Sequence, residues 1–313
     1  MSRAFVFPGQ GSQTVGMGRD VAEAFACARE VFEEIDEALG QNLSKLMFEG
    51  PDEDLILTEN AQPAIMAVSM AVMRVLSVEG GMDLSKTAAF VAGHSLGEYS
   101  ALSAAGCFSV PDAARLLKTR GRAMQDAVPV GEGAMAAVMG LEPEVVAAVA
   151  EEAAGDGVCT AANDNAPGQV VVSGDTAAVG RAIEIAQSRG AKRAILLPVS
   201  APFHCVLMAP AADVMASALA TVSMSPVTVP LIANVTADEV IETSEIRRLL
   251  VEQVTGMVRW RECVLSMKDR GVDQLVEIGA GKVLSGLARR IDKELGATSV
   301  GTPESIEEFL KDL

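Results

Sequence analysis

The pentapeptide Gly93-His94-Ser95-Leu96-Gly97 sets a serine between two glycines with one residue on either side. That is the spacing of a nucleophile elbow, where the chain turns sharply enough to hold a hydroxyl above a sheet. Composition alone yields the spacing in about one chain in six of this length, so context has to decide. The match follows an apolar strand candidate, Ala88 to Gly93, and opens a run of small residues from Ser95 to Ala105 with the character of a buried helix. The bland alternative is a tight turn whose serine merely caps that helix. A serine nucleophile also needs a base, and the chain has two histidines. His94 abuts the serine, so its side chain is expected to point away from the hydroxyl. His204 remains, in Val199-Ser-Ala-Pro-Phe-His204, where Pro202 keeps the segment extended. A lone histidine is more often a core residue bonded to backbone; the scarcity of bases here weakens that reading. Cys205 is a weaker candidate nucleophile, because its neighbour His204 would face elsewhere and no second base exists.

The elements that must position these residues read as α/β. Ala4 to Phe7 is a short buried strand, broken by Pro8 and a Gly-Gln-Gly-Ser loop and followed by helical periodicity from Asp20 to Leu39. From Gly133 to Val199 the rhythm changes to strand Ala134–Met139, helix Pro143–Ala154, strand Val158–Ala162, strand Gln169–Ser173, helix Thr176–Arg189 and strand Arg193–Val199. The order βαββαβ matches a ferredoxin-like unit. Its middle hairpin is expected to turn through Asn163-Asp-Asn-Ala-Pro-Gly168, with Asn163 a turn residue. The remainder supplies helix Ala209–Val222, strand Val227–Asn234, helix Ser244–Thr255, a helix around Trp260, strand Gln274–Ile278 and helix Val283–Leu295. A chain of 313 residues exceeds one ordinary core. The pattern predicts a catalytic body from 1–130 and 200–313, with 131–199 inserted as a small subdomain.

Composition excludes several classes of function. A formal charge of −17 argues against nucleic acid, which requires a dense basic face. The five cysteines are odd in number and far apart without a CxxC pair, so neither a disulfide framework nor a structural zinc site is expected. The most apolar later window, Ala61 to Leu76, is below membrane-spanning length and carries Arg74, and no signal-peptide core opens the chain. A soluble cytoplasmic protein without a membrane partner is the expectation. Two Gly-rich loops fail as nucleotide motifs: Thr14 stands where the dinucleotide fingerprint needs its third glycine. Around Gly279-Ala-Gly-Lys282, Val276 and Val283 replace the first glycine and the Ser/Thr of a Walker loop.

Five segments together are more specific than the elbow. Phe7-Pro-Gly-Gln-Gly-Ser-Gln13, Gly93-His-Ser-Leu-Gly-Glu-Tyr99, Thr119-Arg-Gly-Arg-Ala-Met-Gln125, Gln253 and Ser200-Ala-Pro-Phe-His-Cys205 run in order over nearly the whole chain. In them the chain resembles the malonyl-CoA:acyl carrier protein transacylases. The resemblance implies an α/β-hydrolase-like body with an inserted ferredoxin-like subdomain, and a ping-pong transfer of malonyl from coenzyme A to the phosphopantetheine thiol of acyl carrier protein. It implies that Ser95 is acylated, that His204 is its base, and that the main-chain carbonyl of Gln253 orients that base. It further implies that the N–H groups of Gln10 and Leu96 form the oxyanion hole, that Arg120 binds the malonyl carboxylate, and that no metal or redox cofactor takes part. Ala280 stands where the family commonly has proline, and Phe203 occupies a variable position beside the base. A thioesterase or esterase with the same elbow, and a catalytically idle binding protein, are the alternatives.

Arg120 also has a reading of its own. The helix Asp112–Gln125 carries Ala113, Leu116, Leu117, Ala123 and Met124 at i, i+3, i+4 spacing, which puts Arg120 on the inward stripe with Arg115, Lys118 and Arg122 off it. An inward guanidinium needs an anion. Either a buried acid or, by the resemblance, the substrate carboxylate supplies it.

Overall fold

The computed structural model describes residues 2–199 and 201–312, so Ser200, where the body was expected to resume, lies outside them. Ten strands occur among the described residues: β1 (Arg3–Phe7), β2 (Phe90–Gly93), β3 (Gly133–Met139), β4 (Cys159–Ala166), β5 (Gln169–Asp175), β6 (Arg193–Leu196), β7 (Leu231–Ile232), β8 (Glu239–Val240), β9 (Gln274–Ile278) and β10 (Gly296–Val300). They form a six-stranded sheet in the order β10-β9-β1-β2-β7-β8 and a four-stranded sheet in the order β4-β5-β3-β6. The larger sheet is parallel from β10 to β7, and β8 closes one edge antiparallel. Parallel strands are buried on both faces and are therefore apolar throughout, which is why Ala4, Phe5, Val6 and Phe7 have no exposed surface. The smaller sheet is antiparallel and carries two helices, Pro143–Ala154 and Thr176–Ser188, with the order and pairing of a ferredoxin-like unit. The fold is α/β, an α/β-hydrolase-like body with a small second sheet.

Several elements differ from the sequence expectation. The helix over residues 20–39 is two helices, Arg19–Ala24 and Ala26–Leu39, parted at an extended Phe25. The strand expected over Val227–Asn234 contracts to Leu231–Ile232, because Pro226 and Pro230 cannot donate to a ladder; the Pro230 carbonyl still accepts from Val91 N–H. The helix opening at Val283 stops at Ile291. Strand β10 and the last helix, Pro303–Lys311, had no counterpart in the sequence reading.

The hairpin of the small sheet needs the largest correction. β4 runs on to Ala166 and the turn is only Pro167-Gly168, with Gly168 at φ 67°. Asn163 is thus a strand residue, bulged against Val171, and not part of a turn. Turn-forming side chains fit there because tertiary partners satisfy them. Asp164 pairs with Arg261 at 2.7 Å, and its N–H donates to the Val258 carbonyl. These contacts stitch the small sheet to the body.

The apolar window after residue 60 belongs to a longer helix, Thr58–Val78, which contains Pro63. At 21 residues it is long and apolar enough to cross a membrane, yet 78% of its most apolar 18-residue window is buried inside the fold. It is the central helix of the main core, packed on the helices Ala26–Leu39 and Val110–Asp126.

Candidate active site

Both Gly-rich loops that flank Ser95 leave the C-terminal ends of the central strands β1 and β2, the place where open parallel sheets form crevices. The elbow is closed so tightly that a Cβ on Gly93 would lie 1.9 Å from the Gly97 carbonyl carbon, and one on Gly97 would lie 2.2 Å from the Phe7 carbonyl oxygen. Only glycine fits at either position. Ser95 itself is left-handed at φ 53°, and the helix begins two residues later at Gly97–Ala104. A non-glycine residue there costs on the order of 1–3 kcal/mol and needs over-determining contacts. Asn234, at the end of β7, supplies them: its Oδ1 accepts from Ser95 N–H at 2.8 Å and its Nδ2 donates to the Gly93 carbonyl at 2.7 Å.

His204 reaches the elbow from the other side. Its Nε2 lies 2.8 Å from Ser95 Oγ and its Nδ1 lies 2.9 Å from the Gln253 carbonyl. The second bond fixes the tautomer with the proton on Nδ1, leaving Nε2 to accept. His204 is also left-handed, at φ 59°, so both members of the pair sit on strained backbone. Burial, and second the cation of Arg120, push the His204 imidazole down to about 3. It is therefore neutral, the state in which it can take a proton. His94 is turned away as expected, its Nε2 at 2.8 Å from Asn165 Oδ1 and its ring against Trp260. The Cys205 thiol donates to the Pro202 carbonyl and does not line the cleft.

Arg120 is buried, as its stripe predicts, and among the described residues no acid is in contact with it. Nη1 donates to Gln62 Oε1 at 2.9 Å, and Nη2 donates to Gln253 Oε1 at 2.8 Å and to Ser95 Oγ at 3.1 Å. All three acceptors are neutral, Nε has no partner among the described residues, and the guanidinium lies over the Tyr99 ring. The Glu98 carboxyl is linked to Arg120 through the Gln253 amide. Glu98 Oε2 accepts from Gln253 Nε2 at 2.8 Å and from Asn234 N–H at 3.1 Å. A flipped Gln253 amide would set its NH₂ against the guanidinium and its oxygen against the carboxylate, so the two charges fix its orientation. Glu98 is 1% exposed, and burial raises it to about 7 despite these bonds.

Ser95, His204, Arg120, Gln10 and Leu96 line one cavity of about 470 Å³ between the two sheets, with Gln62, Met124, Asn163 and Phe203 also in its wall. Among the described residues neither the Gln10 nor the Leu96 N–H donates a hydrogen bond within the protein. A larger hollow of about 580 Å³, beside Met70, Met73 and Val110, contains neither Ser95 nor His204. No cluster of three or more potential metal ligands occurs among the described residues. Sequence reasoning missed Gln62, Glu98, Asn163 and Asn234. Only Glu98 carried a signal, as a carboxylate on a helix of otherwise small and apolar residues directly after the elbow.

The chain matches the acyl transferase domain family over residues 4–302. It is 46% identical to the malonyl CoA-acyl carrier protein transacylase of Bacillus subtilis, over 97% of this chain and 95% of that one. Its fold superposes on the crystal structure of acyl-carrier-protein-S-malonyltransferase from Bartonella henselae with a TM-score of 0.97 at 56% identity, covering 100% and 99% of the two chains. A malonyl-transacylase solved in complex with its type II PKS acyl-carrier protein matches at a TM-score of 0.96 and 42% identity, over 100% of both chains.

Proposed function

The chain belongs to the acyl transferase domain family, and from that membership we propose that it transfers malonyl from malonyl-CoA to acyl carrier protein for fatty acid synthesis, through a malonyl ester on Ser95. The observation that carries the reading is the Ser95–His204–Gln253 carbonyl line, whose serine and histidine share one cavity with an arginine that has no carboxylate partner among the described residues. The bond order is that of a serine acyltransferase. Ser95 Oγ attacks the thioester carbonyl as its proton passes to His204 Nε2; the C–S bond then breaks and His204 returns that proton to the coenzyme A sulfur. The carrier's phosphopantetheine thiol reverses the sequence. It gives its proton to His204, attacks the ester carbon, and Ser95 leaves with the proton restored.

In this reading the N–H groups of Gln10 and Leu96 hold the oxyanion, supported by their place in the cavity wall and the absence of a donor contact among the described residues. Arg120 grips the malonyl carboxylate through parallel hydrogen bonds. Nothing in the chemistry calls for a metal or redox cofactor. The body comprises 1–130 and 200–313, with 131–199 inserted so that Asn163, Leu197, Pro198 and Val199 form one wall of the cleft. A cytoplasmic location is part of the proposal, supported by the burial of Thr58–Val78 in the core.

Intact-mass measurement after mixing with malonyl-CoA tests the reading. One malonyl group per chain, lost on adding a carrier-protein thiol and absent in Ser95→Ala, is the expected result. No adduct would mark an idle scaffold, and release to water in place of the thiol would mark a thioesterase.

A further inference from the structure

Arg120 does more than face the acyl cavity: it also donates to the nucleophile. Nη2 is shared between Ser95 Oγ at 3.1 Å and Gln253 Oε1 at 2.8 Å, while Ser95 Oγ is also 2.8 Å from His204 Nε2. A cationic N–H on a serine oxygen draws density from the lone pair that must attack. The same guanidinium stands close enough to the base to oppose its protonation. We infer that Arg120 latches the Ser95–His204 pair in the empty site and that a carboxylate on the incoming acyl group releases it. The inference rests on the proposal that Arg120 receives the acyl carboxylate, and adds that the recognition contact also switches on the nucleophile.

Three observations support the release. First, the acceptors that Arg120 has are all neutral oxygens, from Gln62, Gln253 and Ser95, whereas a carboxylate adds the opposite charge and can accept two parallel N–H bonds from one guanidinium. Second, the contact to Ser95 Oγ is the longest of the three, so it is the contact most readily exchanged. Third, Arg120 lines the acyl cavity together with Ser95, so an anion entering that cavity meets the guanidinium beside the nucleophile. The companion charge, Glu98, cannot compete because Gln253 stands between it and the guanidinium. With Arg120 neutralised by the ligand, one of the two main causes that hold the His204 imidazole low is removed. An acyl group without a carboxylate, such as acetyl, leaves the latch closed.

The test uses formate with acetyl-CoA, which together supply the heavy atoms of a malonyl thioester in two pieces. Single-turnover acetylation of Ser95 is followed by mass spectrometry in wild type, Arg120→Met and Arg120→Lys. Formate is raised to the concentration that halves acylation by malonyl-CoA, so that occupancy of the carboxylate position is known. Potassium chloride holds the ionic strength constant. The expected result is a saturable acceleration of wild-type acetylation by formate of about threefold or more, from the recovered basicity of His204. Arg120→Met should acetylate faster than wild type without formate and show no response to it. Acetylation slowed or unchanged by formate in wild type would overturn the latch, as would an equal acceleration in Arg120→Met. Either outcome leaves the transferase reading intact so long as malonyl-CoA still labels Ser95; failure of that labelling would strike the parent proposal instead. Should Arg120→Met not fold, the wild-type series and Arg120→Lys, whose single ammonium should show a weakened formate response, decide the matter.

Discussion

Replacing Glu98 by Gln isolates the charge of the buried carboxylate from its hydrogen bonds. Glu98 accepts from Asn234 N–H and Gln253 Nε2 with one and the same oxygen, Oε2, so a glutamine can keep both contacts and lose only the negative charge. Burial lifts the Glu98 carboxyl from its ordinary 4.5 to about 7. The sign follows from proton counting. Between those two values the folded state holds a proton that the unfolded state has released, so stability falls as pH rises through the window and levels off above pH 7. At about 1.4 kcal/mol per pH unit, the span amounts to about 3 kcal/mol. Glutamine does not titrate, and every other group is common to the two proteins. The stability of wild type relative to Glu98→Gln should therefore decline by about 3 kcal/mol from pH 4.5 to pH 8, so that the variant is relatively most favoured at alkaline pH. Urea unfolding at five or six pH values, extrapolated linearly to water, measures the difference. Parallel stability curves would show that Glu98 is ionised at its ordinary value, and that the desolvation argued for it is offset by Arg120.

Ser95→Ala and His204→Ala should each remove most of the malonyl transfer, approaching about a millionfold, with the double variant little worse because the two act as a unit; a tenth of the wild-type rate in Ser95→Ala would end the assignment. The chain has only His94 and His204, both pushed down by burial, so nitrogen-15 spectra of labelled histidine should show His204 staying unprotonated from pH 8 to pH 5 and His94 titrating below the ordinary imidazole value. A ring titrating near 6.5 would contradict the buried neutral base. Gly97→Ala should destabilise by about 1–3 kcal/mol through overpacking against the Phe7 carbonyl and, by displacing Ser95, lower kcat on the order of a hundredfold. Wild-type kcat in that variant would show that the elbow yields without moving the hydroxyl.

How much of the molecule was legible beforehand depended on whether a residue's role was local or tertiary. The strands that could be read, β1 through β6 and β9, are continuous apolar or alternating runs whose period reports burial directly. Those that could not, β8 and β10, are short and polar; Gly296–Ser299 alternates between exposed and half-buried positions at a sheet edge, only Val300 is buried, and the strand takes its conformation from β9. The hairpin failed for the opposite reason. Asn163-Asp164-Asn165 has the chemistry of a turn when read alone, and it is held as strand by Val258, Arg261 and His94, which lie 71 to 97 residues away in the chain.

The same division runs through the site. Ser95 and the inward face of Arg120 follow from spacing, because the elbow and the helical stripe are local patterns. His204 followed from scarcity, since a chain with two histidines leaves one choice once the neighbour of the serine is set aside. Gln62, Asn234 and the side chain of Gln253 follow from nothing local. Each is a neutral amide, a residue type that reads as surface or turn, and each is buried because a charged or strained group elsewhere needs its dipole. Gln253 Oε1 and Gln62 Oε1 face a guanidinium, and Asn234 Oδ1 faces the N–H of a left-handed serine. Amides do this where carboxylates would not serve. A carboxylate in direct contact with Arg120 would form a buried ion pair that an incoming substrate carboxylate would have to break, at a cost of roughly 3–5 kcal/mol. Amides satisfy most of the donors while leaving the positive charge free to be claimed. The amides that sequence reading is least able to find are therefore the ones that leave Arg120 available to the carboxylate proposed for it.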